Sequence, residues 1–524
     1  MKEPRETVPT LPSQPSKARS AASKSAFVGI GFKATIDQQL SEIRELYLAD
    51  EVPWILGYSG GKDSTATLQL VWQAIGGIPG DRLKKPIHVI STDTLVENPI
   101  VAAWVSKSLE VMRTAAEAQS LPIKPHRLTP ALTDSFWVNL IGRGYPAPRH
   151  KFRWCTSRLK INPSNAFIQS VVTSSGEAIL VLGTRKAESA ARAANMARYE
   201  KSRVRERLTI NGSLPGSLIY SPIESWTNDD VWFYLMQSQN PWGYNNRDLL
   251  GMYAGASADG ECPLVIDNST PSCGDSRFGC WVCTLVEQDK SMTAMIQNDI
   301  EKEWMMPLLA LRNALDFRGG GIAAGAGGID ADRPLRDFRR MSGAVQVMED
   351  GREIPGPYIQ SAREDWLRRL LGAQMHIRKT GPVVVRDLEL VSTQELAEIR
   401  RIWVMDKHEI EDSLPRIYRE VTGASFSDGA LDDDAVLGRE EIEMLSEICG
   451  QDKLHFELTR HLLSITRQQR SMGRRAGLFD HLEGAFKRGF YDDRDDALNR
   501  AIRLKKDRES SGSMVKEPDN ELEA

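Results

Sequence analysis

Ser59-Gly60-Gly61-Lys62-Asp63-Ser64 is the stretch that decides the reading of this chain. An apolar run at 52–58 precedes it and reads as a buried strand, and 65–75 reads as the helix that follows. Strand, glycine turn and helix start form an arrangement that binds phosphate. Two glycines let the backbone approach an anion closely. The unpaired N–H groups of the first helical turn point at it, and the helix dipole favours its charge. Ser59 and Ser64 add hydroxyl groups, and Lys62 adds a point charge. The spacing is not that of a Walker A loop, which needs four residues between its first glycine and the Gly-Lys pair. A glycine turn that binds nothing is the alternative, and a lone Gly-Gly would favour it. The full hexapeptide between a strand and a helix favours a nucleotide.

Working outward, strands alternate with helices from residue 27 to about 315. Strands are expected at 55–58, 86–92 and 178–183, and helices at 63–75, 99–120 and 229–237. Such alternation predicts the α/β class, with a parallel sheet covered by helices on both faces. Ligands in such sheets sit beyond the C-terminal strand ends. Ser59, Asp93 and the Gly183 to Arg185 turn all follow strand ends, so the three segments are expected to meet at one edge.

Residues 319–328 (GGGIAAGAGG) form a glycine-rich stretch, and 316–332 is expected to be a linker. From 333 to 504 the pattern is mostly helical. Trp366, Leu367, Leu370, Leu371 and Met375 recur at helical spacing, and Ser392 with Glu395 forms a capping box ahead of Leu396, Ile399 and Trp403. These residues read as helix core. The ends, 1–26 and 505–524, are polar and charged and read as disordered tails.

With 67 basic and 71 acidic residues the net charge is −4. That balance excludes a globally cationic nucleic-acid binder, so any such site must be local. Two local candidates exist. Arg149, Lys151, Arg153, Arg158 and Lys160 lie in a run without an acid, and 185–207 is also rich in basic residues. No apolar run reaches the roughly 18 residues of a membrane span, and no signal core is seen, so a cytoplasmic protein with no membrane partner is expected.

Six cysteines are present, and Cys262, Cys273, Cys280 and Cys283 cluster in the pattern C-x10-C-x6-C-x2-C. A zinc ribbon would prefer two C-x2-C pairs. Irregular spacing with one such pair suits an iron–sulfur cluster, most simply 4Fe–4S, with structural zinc as the alternative. Cys155 stands apart among cations that would lower its thiol pKa. It is open to three roles: an alternative cluster ligand, a sulfur-carrying nucleophile, or a plain buried thiol. Cys449 reads as a core thiol in a helix.

The hexapeptide, Thr92-Asp93-Thr94, Gly183-Thr184-Arg185 with the Lys186 to Ser189 run, and Pro222-Ile223-Glu224-Ser225-Trp226 together resemble the phosphoadenosine phosphosulfate reductase-like branch of the PP-loop ATP pyrophosphatases. The resemblance covers about the first 290 residues. It implies the adenine nucleotide α-hydrolase-like fold and the cleavage of ATP to AMP and pyrophosphate. The segment around Cys155 resembles the Cys-Cys-x-x-Arg-Lys segment of cluster-bearing adenylylsulfate reductases, with Thr156 in place of the second cysteine. With the cysteine cluster and the helical C-terminal region added, the chain is most similar to the DndC family of sulfurtransferases of DNA phosphorothioation.

That resemblance implies an iron–sulfur protein working with a cysteine desulfurase, DndD and DndE to put sulfur on a DNA phosphate. The chemistry is sensible on these residues. ATP adenylates the phosphate oxygen, and sulfur then displaces AMP. Ser59, Gly60, Gly61, Lys62, Asp63, Ser64, Asp93, Gly183 and Arg185 would hold the nucleotide. Lys62, Asp63 and Cys155 would act in catalysis, with Asp63 orienting Mg2+. The rivals are a reductase of adenylyl sulfate or phosphoadenylyl sulfate, a tRNA thiolation enzyme, and a nucleotide-sensing scaffold without catalysis. The reductase would need a mobile Glu-Cys-Gly tail, of which Glu447-Ile448-Cys449-Gly450 is only an echo.

Overall fold

The computed structural model describes residues 25–150, 152–200, 203–205, 207–257, 278–317, 331–407, 409, 412–426, 439–470 and 477–510. Seven strands make one sheet: β1 (Trp54–Gly57), β2 (Ile87–Thr92), β3 (Ile123–Leu128), β4 (Ala178–Val181), β5 (Arg203–Arg205), β6 (Leu208–Ile210) and β7 (Ser217–Tyr220), in the order β3-β2-β1-β4-β7-β6-β5. The five from β3 to β7 run parallel, and β6 and β5 extend the sheet antiparallel. Strand order therefore reverses at β1 and β4, which is where a doubly wound sheet opens a ligand crevice.

The α/β expectation holds, and the three anticipated strands are found within two residues of their predicted ends. β3 was not anticipated. Its sequence, Ile-Lys-Pro-His-Arg-Leu, carries a proline and alternates poorly. It forms because it is an edge strand, where a missing N–H breaks no ladder.

Helix α1 (Phe32–Leu48) precedes the sheet, and α2 (Lys62–Gly76) and α3 (Pro99–Ala118) cross from β1 to β2 and from β2 to β3. β1 is buried on both sides. Trp54 and Leu56 pack with Ile43, Leu68 and Val71 of α1 and α2, whereas Ile55 packs with Ile168 and Val171 of the helix Asn162–Ser175. Leu109, Met112 and Ala116 of α3 face inward, as their spacing predicts.

A larger core lies beside the sheet. It joins Trp137, Leu140, Trp154 and Trp281 to Leu308 and Leu311, and on to Trp366, Leu367, Leu370, Ile399 and Trp403. Residues 318–330, most of the expected linker, lie outside the described residues, and described helices before and after them share this core. Trp403 donates its ring N–H to the Ile141 carbonyl at 2.9 Å, and Trp137 donates to Leu390 at 2.8 Å. Each such large side chain contributes about 1.5–3 kcal/mol through burial. The predicted capping box forms, with Glu395 N–H donating to Ser392 Oγ at 3.2 Å and Ser392 N–H to the Glu395 carboxylate at 2.9 Å. A separate small cluster, Leu458, Ile465 and Ala485, joins the helices Lys453–Arg470 and Leu478–Gly489. Among the described residues no helix is long and apolar enough to cross a membrane.

Candidate functional site

The loop at 59–64 turns sharply between β1 and α2. Gly60 sits at φ +74°, and a Cβ there would stand 2.4 Å from a Val105 methyl. Only glycine meets both demands. The hydroxyl of Ser64 knits the turn. It accepts from Ser59 N–H at 3.2 Å, donates to the Gly61 carbonyl at 3.0 Å and lies 3.2 Å from the Ser59 hydroxyl. Helix α2 starts after Gly61 without a side-chain cap, so its first donors are left to a ligand or to neighbouring groups. One of those neighbours is Tyr253, whose hydroxyl accepts from Lys62 N–H at 3.4 Å.

The turn after β4 closes on this loop. Gly183 approaches so tightly that a Cβ would lie 2.8 Å from the Asp63 carbonyl oxygen and 3.0 Å from Thr67 Oγ1. Arg185, only 4% exposed, donates through Nε to Asp63 Oδ1 at 2.6 Å, and Lys62 Nζ lies 3.4 Å from Asp63 Oδ2. Asp63 is thus held between two cations. Asp93, beyond β2, accepts from Leu95 N–H at 2.8 Å and from Arg127 Nε at 3.0 Å, which ties the loop to the β3 edge.

Ser59, Gly61, Lys62, Asp63, Asp93 and Arg185 all line one cavity of about 1040 Å³. The three segments expected to converge at the sheet edge do so. The floor is apolar, from Ile55, Ile90, Leu180 and Leu182. The far wall brings Glu97 and Phe278, which no local pattern signals, and Lys160 from the basic run; Arg127 and Tyr253 also line the cavity.

That far wall abuts the cysteines. Residues 278–283 lie along the loop between β2 and α3. Trp281 N–H donates to the Val96 carbonyl at 2.9 Å, and Glu97 and Cys280 form an antiparallel bridge. Glu97 gathers Thr94 Oγ1 at 3.0 Å, Lys160 Nζ at 3.3 Å and Cys280 Sγ at 3.7 Å. Behind the turn, Arg312 (1% exposed) donates to the Cys283 carbonyl at 3.0 Å and pairs with Asp316 at 3.1 Å.

Cys155, Cys280 and Cys283 are free thiols, and Cys155 stands close enough to Cys283 and to Cys280 for the charges to couple. Burial, with Glu97 nearby, pushes Cys280 up to about 12. Lys160 is held above the usual lysine range. Burial opposes its charge, but Cys280 and Glu97 outweigh it. Among the described residues no three Cys, His, Asp or Glu side chains surround a single metal position. Cys262 and Cys273, expected as ligands, lie outside the described residues.

Two sequence expectations are corrected here. Cys155 was expected to have a lowered pKa from its cationic neighbours, yet its thiol is pushed up by burial and then by Cys283. The neighbouring guanidinium groups turn elsewhere: Arg153 to the His150 ring at 3.3 Å and Arg158 to Asp134 at 2.5 Å. The run around 149–160 was read as cations without acids, but the fold supplies the acids. Arg149 pairs with Asp332, Arg158 with Asp134 and Lys160 with Glu97. Lys151 lies outside the described residues. In 185–207, likewise, Lys186, Arg192, Arg205 and Arg207 each pair with a glutamate or aspartate. Cys449 ends the helix Arg439–Cys449, whose Met444 and Ile448 are exposed, so this helix is less buried than a core helix.

Residues 53–246 match the family model of the phosphoadenosine phosphosulfate reductase domain. The match spans all seven strands of the sheet and less than half of the chain. An uncharacterized protein of Methanocaldococcus jannaschii is 24% identical over 263 residues, which is 50% of this chain and 42% of that protein. The chain thus spans less than half the length of that relative. Among solved structures, FMN adenylyltransferase of Candida glabrata with FAD and inorganic pyrophosphate is 11% identical (47% of this chain, 75% of that one, TM-score 0.25). The U34-tRNA thiolase NcsA from Methanococcus maripaludis with its 4Fe–4S cluster is 15% identical (42% and 72%, TM-score 0.25).

Proposed function

We propose that the chain is an ATP pyrophosphatase that adenylates a phosphate-bearing acceptor and transfers sulfur to it. The acceptor proposed is the DNA backbone, as the resemblance to phosphorothioation sulfurtransferases implies. The observation that carries the reading is one cavity running from Ser59, Lys62 and Asp63 to Glu97 and Lys160, which stand against Cys280.

In the first step a non-bridging acceptor oxygen attacks the α-phosphorus of ATP. The bond from that phosphorus to the bridging oxygen breaks, and pyrophosphate leaves with the electron pair. Backbone N–H groups of the 59–64 loop and the Lys62 ammonium offset the charge that builds there. Asp63 keeps Arg185 and Lys62 in place, and Mg2+ enters with the ATP phosphates. In the second step hydrosulfide attacks the acceptor phosphorus, and AMP leaves with the former acceptor oxygen. Sulfur delivered as a persulfide, for instance by a cysteine desulfurase, needs two electrons from a thiol reductant to reach this level. Cys155 would carry or hold sulfur beside Cys283.

The donor chemistry fits an iron–sulfur cluster. Cys280 and Cys283, beside the Lys160 cation, would hold it together with Cys262 and Cys273, with Cys155 as the alternative ligand, and all are soft thiol donors. When bound, a 4Fe–4S cluster supplies an iron position able to hold sulfur.

The test is anaerobic incubation of the full chain with ATP, DNA, tRNA, a cysteine desulfurase, labelled cysteine and a thiol reductant, with and without DndD and DndE. Pyrophosphate and AMP in equal amounts, with label in DNA, are expected, and Lys62→Ala abolishes both. Label in tRNA replaces the acceptor. Sulfite release from adenylyl sulfate without ATP cleavage makes the chain a reductase. Sulfur incorporation that survives Lys62→Ala leaves only a scaffold.

A further inference from the structure

Tyr253 touches both the 59–64 loop and the segment that leads into Cys280. It lies on the helix Asn246–Gly255, nearly two hundred residues from the loop in sequence, and is 8% exposed. Its hydroxyl accepts the Lys62 backbone N–H at 3.4 Å, and Lys62 Nζ sits 5.4 Å from its ring centroid. A Cβ on Gly61 would stand 3.1 Å from the same hydroxyl. The ring also meets Phe278 edge-to-face, with centroids 4.7 Å apart. Phe278 is two residues before Cys280, and Asn98 N–H donates to the intervening Gly279 carbonyl at 3.3 Å. Trp232 braces the ring at 5.2 Å.

We propose that Tyr253 is a positioning residue that couples occupancy of the 59–64 loop to the geometry of the cysteine-bearing segment 278–283. The inference rests on the nucleotide reading of the loop and adds a route between its two ends. A 3.4 Å N–H···O contact is long for a hydrogen bond. A phosphate oxygen makes a shorter, charge-assisted bond to the same N–H and displaces the weaker acceptor. The tyrosine hydroxyl then has to find a new partner, because a buried polar group left alone is unfavourable. Its own proton is available to the incoming phosphate. Either response moves a ring packed directly on Phe278, and Phe278 leads by one residue into the bridge that holds Cys280 against Glu97. A filled loop therefore presents the sulfur end differently from an empty one, so that sulfur is delivered after the acceptor is activated.

Hydrogen–deuterium exchange on the full-length, anaerobically purified protein tests this, with a non-hydrolysable ATP analogue as the probe. The analogue is expected to change exchange of a peptide covering 278–285 by at least about threefold. That peptide includes the Trp281 and Cys283 N–H groups bonded at 2.9 and 3.0 Å. With wild type and each variant saturated with analogue, as titration verifies, the change at 278–285 disappears in Tyr253→Phe, which keeps the ring and drops the hydroxyl, and in Phe278→Ala. An equal change in wild type and both variants overturns the proposal, as does analogue binding to wild type with no change at 278–285. Failure of the analogue to bind wild type at all would instead overturn the nucleotide reading beneath it.

Discussion

Removing Arg185 should weaken ATP binding, and removing Asp63 as well should restore part of the loss. Arg185 is almost fully buried, and its Nε bonds Asp63 at 2.6 Å, while Asp63 keeps only a longer 3.4 Å contact to Lys62. In Arg185→Ala a carboxylate that had been paired is left facing the cavity proposed to hold the triphosphate. A charge-assisted hydrogen bond of this kind contributes about 1.5–3 kcal/mol, which is about tenfold to 150-fold in Kd. The partner is one-quarter exposed rather than sealed, so the larger cost of an orphaned interior charge does not apply. Asp63→Asn in the Arg185→Ala background removes the offending charge. The cycle of Arg185→Ala, Asp63→Asn and the double variant should show a coupling of at least about 1 kcal/mol. Isothermal titration with a non-hydrolysable ATP analogue measures it, and circular dichroism of each variant checks that the fold is kept. Losses that simply add, within about 0.3 kcal/mol, would refute the claim that the pair acts as one unit in the nucleotide site.

Other outcomes follow from the same geometry. Gly183→Ala forces a methyl to 2.8 Å from the Asp63 carbonyl, which should cost about 1–3 kcal/mol as overpacking, seen as a lower Tm together with weakened nucleotide binding. Gly60→Ala combines the φ of +74° with the clash on Val105 and should abolish analogue binding by titration. Cys280→Ser and Cys283→Ser should each lower iron and acid-labile sulfide after anaerobic purification, and a wild-type protein holding only zinc would remove the iron–sulfur assignment. His88 and His126 meet at 3.0 Å under Phe167, and burial, then His126 and Lys124, lowers the His88 pKa to about 4. The unfolded chain takes up that proton near pH 6.5 and the folded pair does not. Stability is thus complete above about 6.5 and declines as pH falls toward 4. His88→Phe should flatten the decline in thermal melts between those values.

The sequence by itself determined whatever depends on neighbours along the chain. The 59–64 hexapeptide, the strands beside it, the buried faces of α3 and of the helix Gln360–Thr380, and the Ser392 cap are all local patterns of period, capping and turn chemistry. They are legible because a helix or a turn forms among residues a few positions apart. Tertiary structure alone decided which groups meet. Tyr253 reaches Lys62 across 191 positions and Cys280 reaches Glu97 across 183, and no local pattern encodes such pairings. The same distance effect paired Arg149, Arg158 and Lys160 of the basic run, because Asp332, Asp134 and Glu97 come from other elements. It also raised the Cys155 pKa, since burial is a property of the packed interior rather than of flanking residues. The 59–64 loop suggests an anion in one dimension, and only the folded sheet sets that loop in one cavity with the turn after β4, because strand order places β1 and β4 next to each other while the chain keeps them more than a hundred residues apart.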